Sequence, residues 1–183
     1  EPWGWKDPRT TWTLPLWLEL FPHARVLHIV RHGVPVAESL HVRRERAVQR
    51  RVDRYRNRRL PAHMNPLAPK RGGFGDQPRC GTLEGGFCLW EEYVNHARQH
   101  LEVAGDHGME VRYEELLDSP REGLLRVLDF CGLDADWDRV DAAAATLDAR
   151  RADAWRDDDH LRRFADEVAE RLATLGYDAG DRS

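Results

Sequence analysis

Arg31 and Ser39 bracket the stretch of this 183-residue chain whose residue types best suit chemistry. Ahead of the arginine lies Val26-Leu27-His28-Ile29-Val30, a short apolar run rich in β-branched residues that reads as a buried strand. After it the chain passes Gly33 and Pro35 and enters a helical stretch that carries the serine. In open parallel α/β sheets, ligands bind just beyond the carboxyl ends of strands, at the following helix. A guanidinium there offers a rigid fork of donors. A hydroxyl one or two helical turns further on completes a grip on one phosphate from two sides. The chemistry that fits is the handling of a phosphorylated nucleotide.

The elements that must position this pair follow from the pattern around it. Trp3-Gly4-Trp5-Lys6 reads as the end of a short strand, and Asp7-Pro8 as N-cap and first residue of a helix running to about Leu20. Phe21-Pro22 closes that helix. The strand Val26–Val30 leads into a helix from about Val34 to Arg59, with a thin apolar stripe of Val48, Val52 and Tyr55. Residues 60–86 are rich in Pro and Gly, the composition of a long loop or lid. Helical spacing resumes with Leu89, Trp90, Tyr93, Val94, Ala97 and Leu101, with Trp90 and Tyr93 expected in the core. Met109–Tyr113 predicts a second strand, and Ser119-Pro120-Arg121-Glu122 a capping box opening a helix that ends at Gly132. Two more helices are expected, over about 137–147 and 158–175. Strands alternating with helices imply a parallel sheet covered on both faces, in one α/β domain spanning residues 1–183.

Composition narrows the classes. The net charge of −4 gives no whole-molecule field for nucleic acid, although nine arginines crowd residues 43–59 against only Glu45 and Asp53. Lys6 and Lys70 are the only lysines, which makes Lys6 conspicuous beside its two tryptophans. No stretch approaches the ~18 to 20 apolar residues of a membrane span. The three cysteines lack CxxC spacing, so neither a zinc site nor a disulfide framework is expected. A reducing compartment, and hence a cytoplasmic protein, is the default.

The order Lys6-Asp7-Pro8, Phe21-Pro22, a strand ending in Arg31, Ser39, then Tyr113-Glu114-Glu115-Leu116 with Ser119-Pro120 resembles the sulfotransferases that use 3′-phosphoadenosine-5′-phosphosulfate (PAPS). The Lys-Asp-Pro form and the Arg-x-Gly turn are similar to tyrosylprotein sulfotransferases and related bacterial proteins. The resemblance covers about residues 3–133. It implies a three-layer, parallel-sheet P-loop-type fold with a helix-rich C-terminal half. It implies PAPS as sulfuryl donor, without a metal, and a hydroxyl or amine acceptor on a sugar, lipid, peptide or small metabolite. By resemblance Arg31 and Ser39 hold the 3′-phosphate, with Arg43 as a further contact. Tyr113 lies near the adenine, and Lys6 approaches the phosphosulfate bridge. That role suits a lysine, a compact and mobile donor, because charge builds on the departing phosphate.

Two features depart from the family pattern. The strand, phosphate-cradling loop and helix expected ahead of Lys6 are not found, and Gly72-Gly73-Phe74-Gly75 lacks the neighbours such a loop needs. The resemblance therefore implies the C-terminal two thirds of such an enzyme, carrying the 3′-phosphate half of the cofactor site and inactive alone. The other departure is His32, where an aspartate commonly follows the arginine.

Plainer readings stand beside these. Asp7 before Pro8 is explained as an N-cap rather than a base. His96 and His100 share a helix face at metal-compatible spacing but lack a third ligand, so no metal is expected. The 43–59 arginines support an alternative, a non-catalytic phosphate or nucleic-acid binding module. A P-loop nucleotide kinase relative is the other alternative; no nucleic acid is expected on the leading reading.

Overall fold

The computed structural model describes residues 2–56 and 77–179. Their order is α1 (Thr10–Leu20), β1 (Val26–Val30), α2 (Gly33–Arg56), α3 (Leu83–Ala104), β2 (Gly108–Arg112), α4 (Tyr113–Asp118), α5 (Pro120–Cys131), α6 (Trp137–Ala144), α7 (Arg150–Asp153), α8 (Asp159–Glu167) and α9 (Ala169–Thr174). Short 3₁₀ turns lie at Pro78–Gly81, Gly105–His107 and Ala154–Asp157. Contacts cluster into two compact units. One comprises Glu1–His32 with Glu91–Asp158, the other Gly33–Trp90 with Asp159–Ser183.

The first unit holds the sheet. β1 and β2 pair in parallel, from Val26 opposite Gly108 to Val30 opposite Arg112. Among the described residues the sheet has these two strands, a mixed α/β architecture with less sheet than the three-layer expectation. Val30 and Val111 are buried, while Ile29 is 54% exposed. β2 begins one residue early and ends before Tyr113, which opens α4 instead.

Four local expectations in this unit change. Residues 2–7 form no strand. The first helix starts at Thr10, because Asp7 and Pro8 make a preceding turn in which the Thr10 N–H donates to the Asp7 carbonyl. At Ser119 no side-chain cap forms; its backbone carbonyl accepts from the Gly123 N–H, so Pro120 alone marks the start of α5. Gly132 does close α5, in the left-handed conformation with φ 65°. The Arg25 guanidinium donates to the Phe130 carbonyl in the same last turn. The helix at Trp137 ends at Ala144, short of Leu147.

The second unit is helical. α2 does not rest on Val48 and Val52, which are exposed; it buries Val34, Ala37 and Leu40 near its start. A Cβ on Gly33 would meet the Phe87 and Trp90 rings at 2.6 Å, so the glycine after the arginine turn serves close packing. Only part of the expected 60–86 loop can be traced, since residues 57–76 lie outside the described residues. The end of that stretch is a 3₁₀ turn and the first turn of α3. Gly85 and Gly86 lie in α3, and glycine suits both positions because a Cβ would strike the Arg79 carbonyl at 1.7 Å in one case and the Ala37 carbonyl at 3.0 Å in the other. Chain-to-chain approach, not loop formation, explains them. The expected helix over 158–175 is two helices, α8 and α9, interrupted at Val168. Phe87, Phe164, Leu172 and Tyr177 are buried in this unit, with Phe87 and Phe164 edge to face at 5.8 Å.

Candidate functional site

Pairing of Val30 with Arg112 brings the next residues of both strands, Arg31 and Tyr113, past the sheet at the same level. The Arg31 guanidinium lies over the Tyr113 ring, 5.2 Å from its centroid. A cation over an aromatic face at this distance is electrostatically favourable. One residue on, the His32 backbone N–H donates to Glu114 Oε1 at 2.8 Å. The His32 ring stacks on Trp155, with centroids 4.7 Å apart. A fork of donors, an aromatic face and a buried anchor thus gather at the carboxyl ends of two parallel strands, the place where α/β sheets bind ligands.

The middle of the same strands, where His28 pairs with Glu110, carries a second polar cluster. Glu110 accepts from Arg98 Nε at 3.0 Å and Nη2 at 2.9 Å, and lies 3.1 Å from His28 Nδ1. Burial pushes the Glu110 carboxyl up, but Arg98 and His28 outweigh it and hold the group below its ordinary range. Burial also dominates at His28 and holds it below 6.5, against the pull of Glu110. A neutral imidazole facing a carboxylate must carry its proton on the facing nitrogen, so His28 donates through Nδ1.

Ser39 and Arg43 belong to the helical unit. They lie one turn apart on α2, and Arg43 Nη2 donates to Ser39 Oγ at 3.3 Å. Both are exposed. Lys6 is exposed ahead of α1 and makes no hydrogen bond or ion pair with a described residue. Of the predicted site residues, then, Arg31 meets Tyr113 and Ser39 meets Arg43. Asp7 accepts from the Arg9 backbone N–H at 2.9 Å and its guanidinium at 2.6 Å, and Arg9 holds its carboxyl at about 2. A carboxylate so committed is a turn former and a poor base.

The sequence reading missed Glu114 and Trp155 as partners of the Arg31–His32 turn. Glu114 sat in the Tyr-Glu-Glu-Leu block, whose tyrosine alone was assigned a role. His32 stands in the sequence only as a departure from the usual aspartate. His96 and His100 lie 6.4 Å apart with Trp12 against His96 at 4.2 Å, and no group able to hold a metal occurs among the described residues. Nor is any described helix long and apolar enough to cross a membrane.

Fold and geometry define a mixed α/β protein that presents a guanidinium and an aromatic ring at a strand end. Comparison with protein families makes this specific: residues 1–139 match the sulfotransferase family, and the chain belongs to it. The family is one of transferases that move a sulfuryl group. No curated protein and no solved structure matches the chain.

Proposed function

We propose that this chain carries the 3′-phosphate-binding part of a PAPS site and serves sulfuryl transfer to a hydroxyl or amine acceptor. The observation that carries the reading is the meeting of Arg31 and Tyr113 beyond the carboxyl ends of the paired strands. A planar fork suits bidentate contact with a phosphate, and an aromatic face suits a purine. Arg31 binds the 3′-phosphate and Tyr113 orients the adenine. Ser39 and Arg43 add a hydroxyl and a second cation to the phosphate contact. Lys6 places its ammonium toward the bridging oxygen, where it stabilises charge on the leaving group. When bound, the cofactor would supply the sulfuryl group: the acceptor oxygen or nitrogen would bond to sulfur and release its proton to solvent, while 3′-phosphoadenosine 5′-phosphate would leave with the electron pair of the broken S–O bond.

The sulfotransferase match favours this over the kinase reading, whose nucleotide lacks a 3′-phosphate. The same match favours it over a nucleic-acid module built on the α2 arginines. Calorimetric titration with 3′-phosphoadenosine 5′-phosphate tests the assignment. Arg31→Ala should weaken binding by roughly a hundredfold, the worth of a bidentate charge-assisted contact. Unchanged binding in that variant would show the assignment to be wrong.

A further inference from the structure

The turn that delivers Arg31 is held at the residue beside it. His32 is the buried polar side chain of the described core, 5% exposed. At the end of β1 its backbone N–H can no longer be met by a strand partner, because the neighbouring chain has already turned into α4. A buried N–H without an acceptor is costly. Glu114 Oε1 supplies the acceptor at 2.8 Å. On the other side, Trp155, itself 4% exposed, stacks on the His32 ring with 22° between the planes.

The arrangement continues the sheet register by side chains. Val30 is opposite Arg112 in the last paired step; Arg31 then lies over Tyr113, and His32 is tied to Glu114. Two consecutive residues after β1 thus engage two consecutive residues after β2. Fixing residue 32 fixes where the backbone of residue 31 points, and so where its guanidinium starts. Trp155 lies outside the stretch matched to the family, residues 1–139, so this chain's later segment adds to the clamp. His32, which departs from the family's usual aspartate, has the flat ring that the stack requires.

We infer that Glu114, assisted by Trp155, is a positioning residue: through His32 it pre-organises the Arg31 guanidinium for a nucleotide phosphate. The inference rests on the reading of Arg31 as the 3′-phosphate ligand. A long side chain held in place before binding loses less freedom when it binds, which raises affinity without adding a contact. Glu114 Oε2 is buried without a hydrogen-bond partner among the described residues. Replacing Glu114 by glutamine therefore keeps the acceptor that matters and disrupts no donor at the other atom.

The test uses the whole chain, with NMR and calorimetry on the same samples. In Glu114→Ala the His32 amide should exchange faster with solvent, and the Arg31 side-chain resonances should lose the ring-current shift from Tyr113. Affinity for 3′-phosphoadenosine 5′-phosphate should fall roughly tenfold, the scale of one charge-assisted hydrogen bond. Glu114→Gln should keep the shift and bind within about threefold of the native chain. If Glu114→Ala does not fold, Glu114→Met, which fills similar volume without an acceptor, takes its place against Glu114→Gln. A lowered melting temperature with the Arg31 shift and the affinity both intact would mean a merely structural Glu114, and would overturn the proposal. Should the nucleotide bind not even the native chain, the phosphate reading of Arg31 fails, while the His32 exchange and the Arg31 shift still decide the clamp.

Discussion

Glu110 and Glu84 each hold an arginine, yet they do so in opposite settings. In the sheet-bearing unit, Glu110 ties β2 to Arg98 of α3 and to His28 of β1, with side chains 25%, 29% and 18% exposed. In the helical unit, Glu84 accepts from Arg171 at 2.6 Å with the pair 53% and 37% exposed, and Cys88 lies beside them. The same chemistry is half-buried in one unit and near the surface in the other. A pair removed from water adds little net stability, but it strongly penalises loss of one partner and so enforces a single arrangement. A surface pair tolerates alternatives. The proposed phosphate contacts divide in the same way. Arg31 lies over Tyr113 and next to His32, which Glu114 and Trp155 hold, whereas Ser39 and Arg43 lie exposed on α2. One contact is built in advance; the other adapts.

The largest expected effect sharpens that division directly. Arg43→Ala should weaken 3′-phosphoadenosine 5′-phosphate binding by only about three- to fivefold, against roughly a hundredfold for Arg31→Ala, because an exposed side chain must be ordered on binding. Equal losses in calorimetry would dissolve the distinction. Next comes stability. Arg98→Ala should cost about 2 kcal/mol in urea unfolding by leaving Glu110 half-buried without its cation, and Arg171→Ala about 1 kcal/mol or less. The reverse order would mean that the mid-strand cluster does not enforce register.

The smallest effect concerns pH. His28 in the folded chain sits below 6.5 because burial disfavours its charged form, so near that value the unfolded chain binds more protons. The stability this contributes is fully present above the ordinary value and is lost as pH falls through the lowered one. Glu110, also lowered, adds a further loss below 4.5. In urea midpoints followed downward from pH 8, His28→Leu should flatten the first part of the decline relative to the native chain. An unchanged profile would place His28 outside the cluster's energetics.

How much of this was legible in the residues depended on what left a periodic trace. β1 was read to its exact ends because its apolar, β-branched run is bounded by polar punctuation. The parallel pairing, and with it the delivery of Arg31 and Tyr113 to one place, follows from strand–helix alternation. The Glu114–His32 bond joins a side chain to a backbone N–H in a distant part of the chain, and such a bond imposes no pattern on sequence. The stacking of Trp155 is hidden for the same reason. Gly85 and Gly86 looked like loop residues, but their meaning lies in what approaches them, Arg79 and Ala37, which composition cannot report. Ser119 and Glu122 have capping-box spacing, yet no side-chain cap forms at Ser119. Val168 breaks the last helix with no glycine or proline to announce it.

The central claim is that Arg31, held by its neighbours at the strand end, reads the 3′-phosphate of an adenosine nucleotide. The most direct measurement compares 3′-phosphoadenosine 5′-phosphate with adenosine 5′-phosphate by calorimetry, since the two differ only in that phosphate. In the native chain the first should bind about a hundredfold more tightly, and in Arg31→Ala the difference should nearly vanish. Equal binding of both nucleotides by the native chain, or a preference that survives in Arg31→Ala, would contradict it.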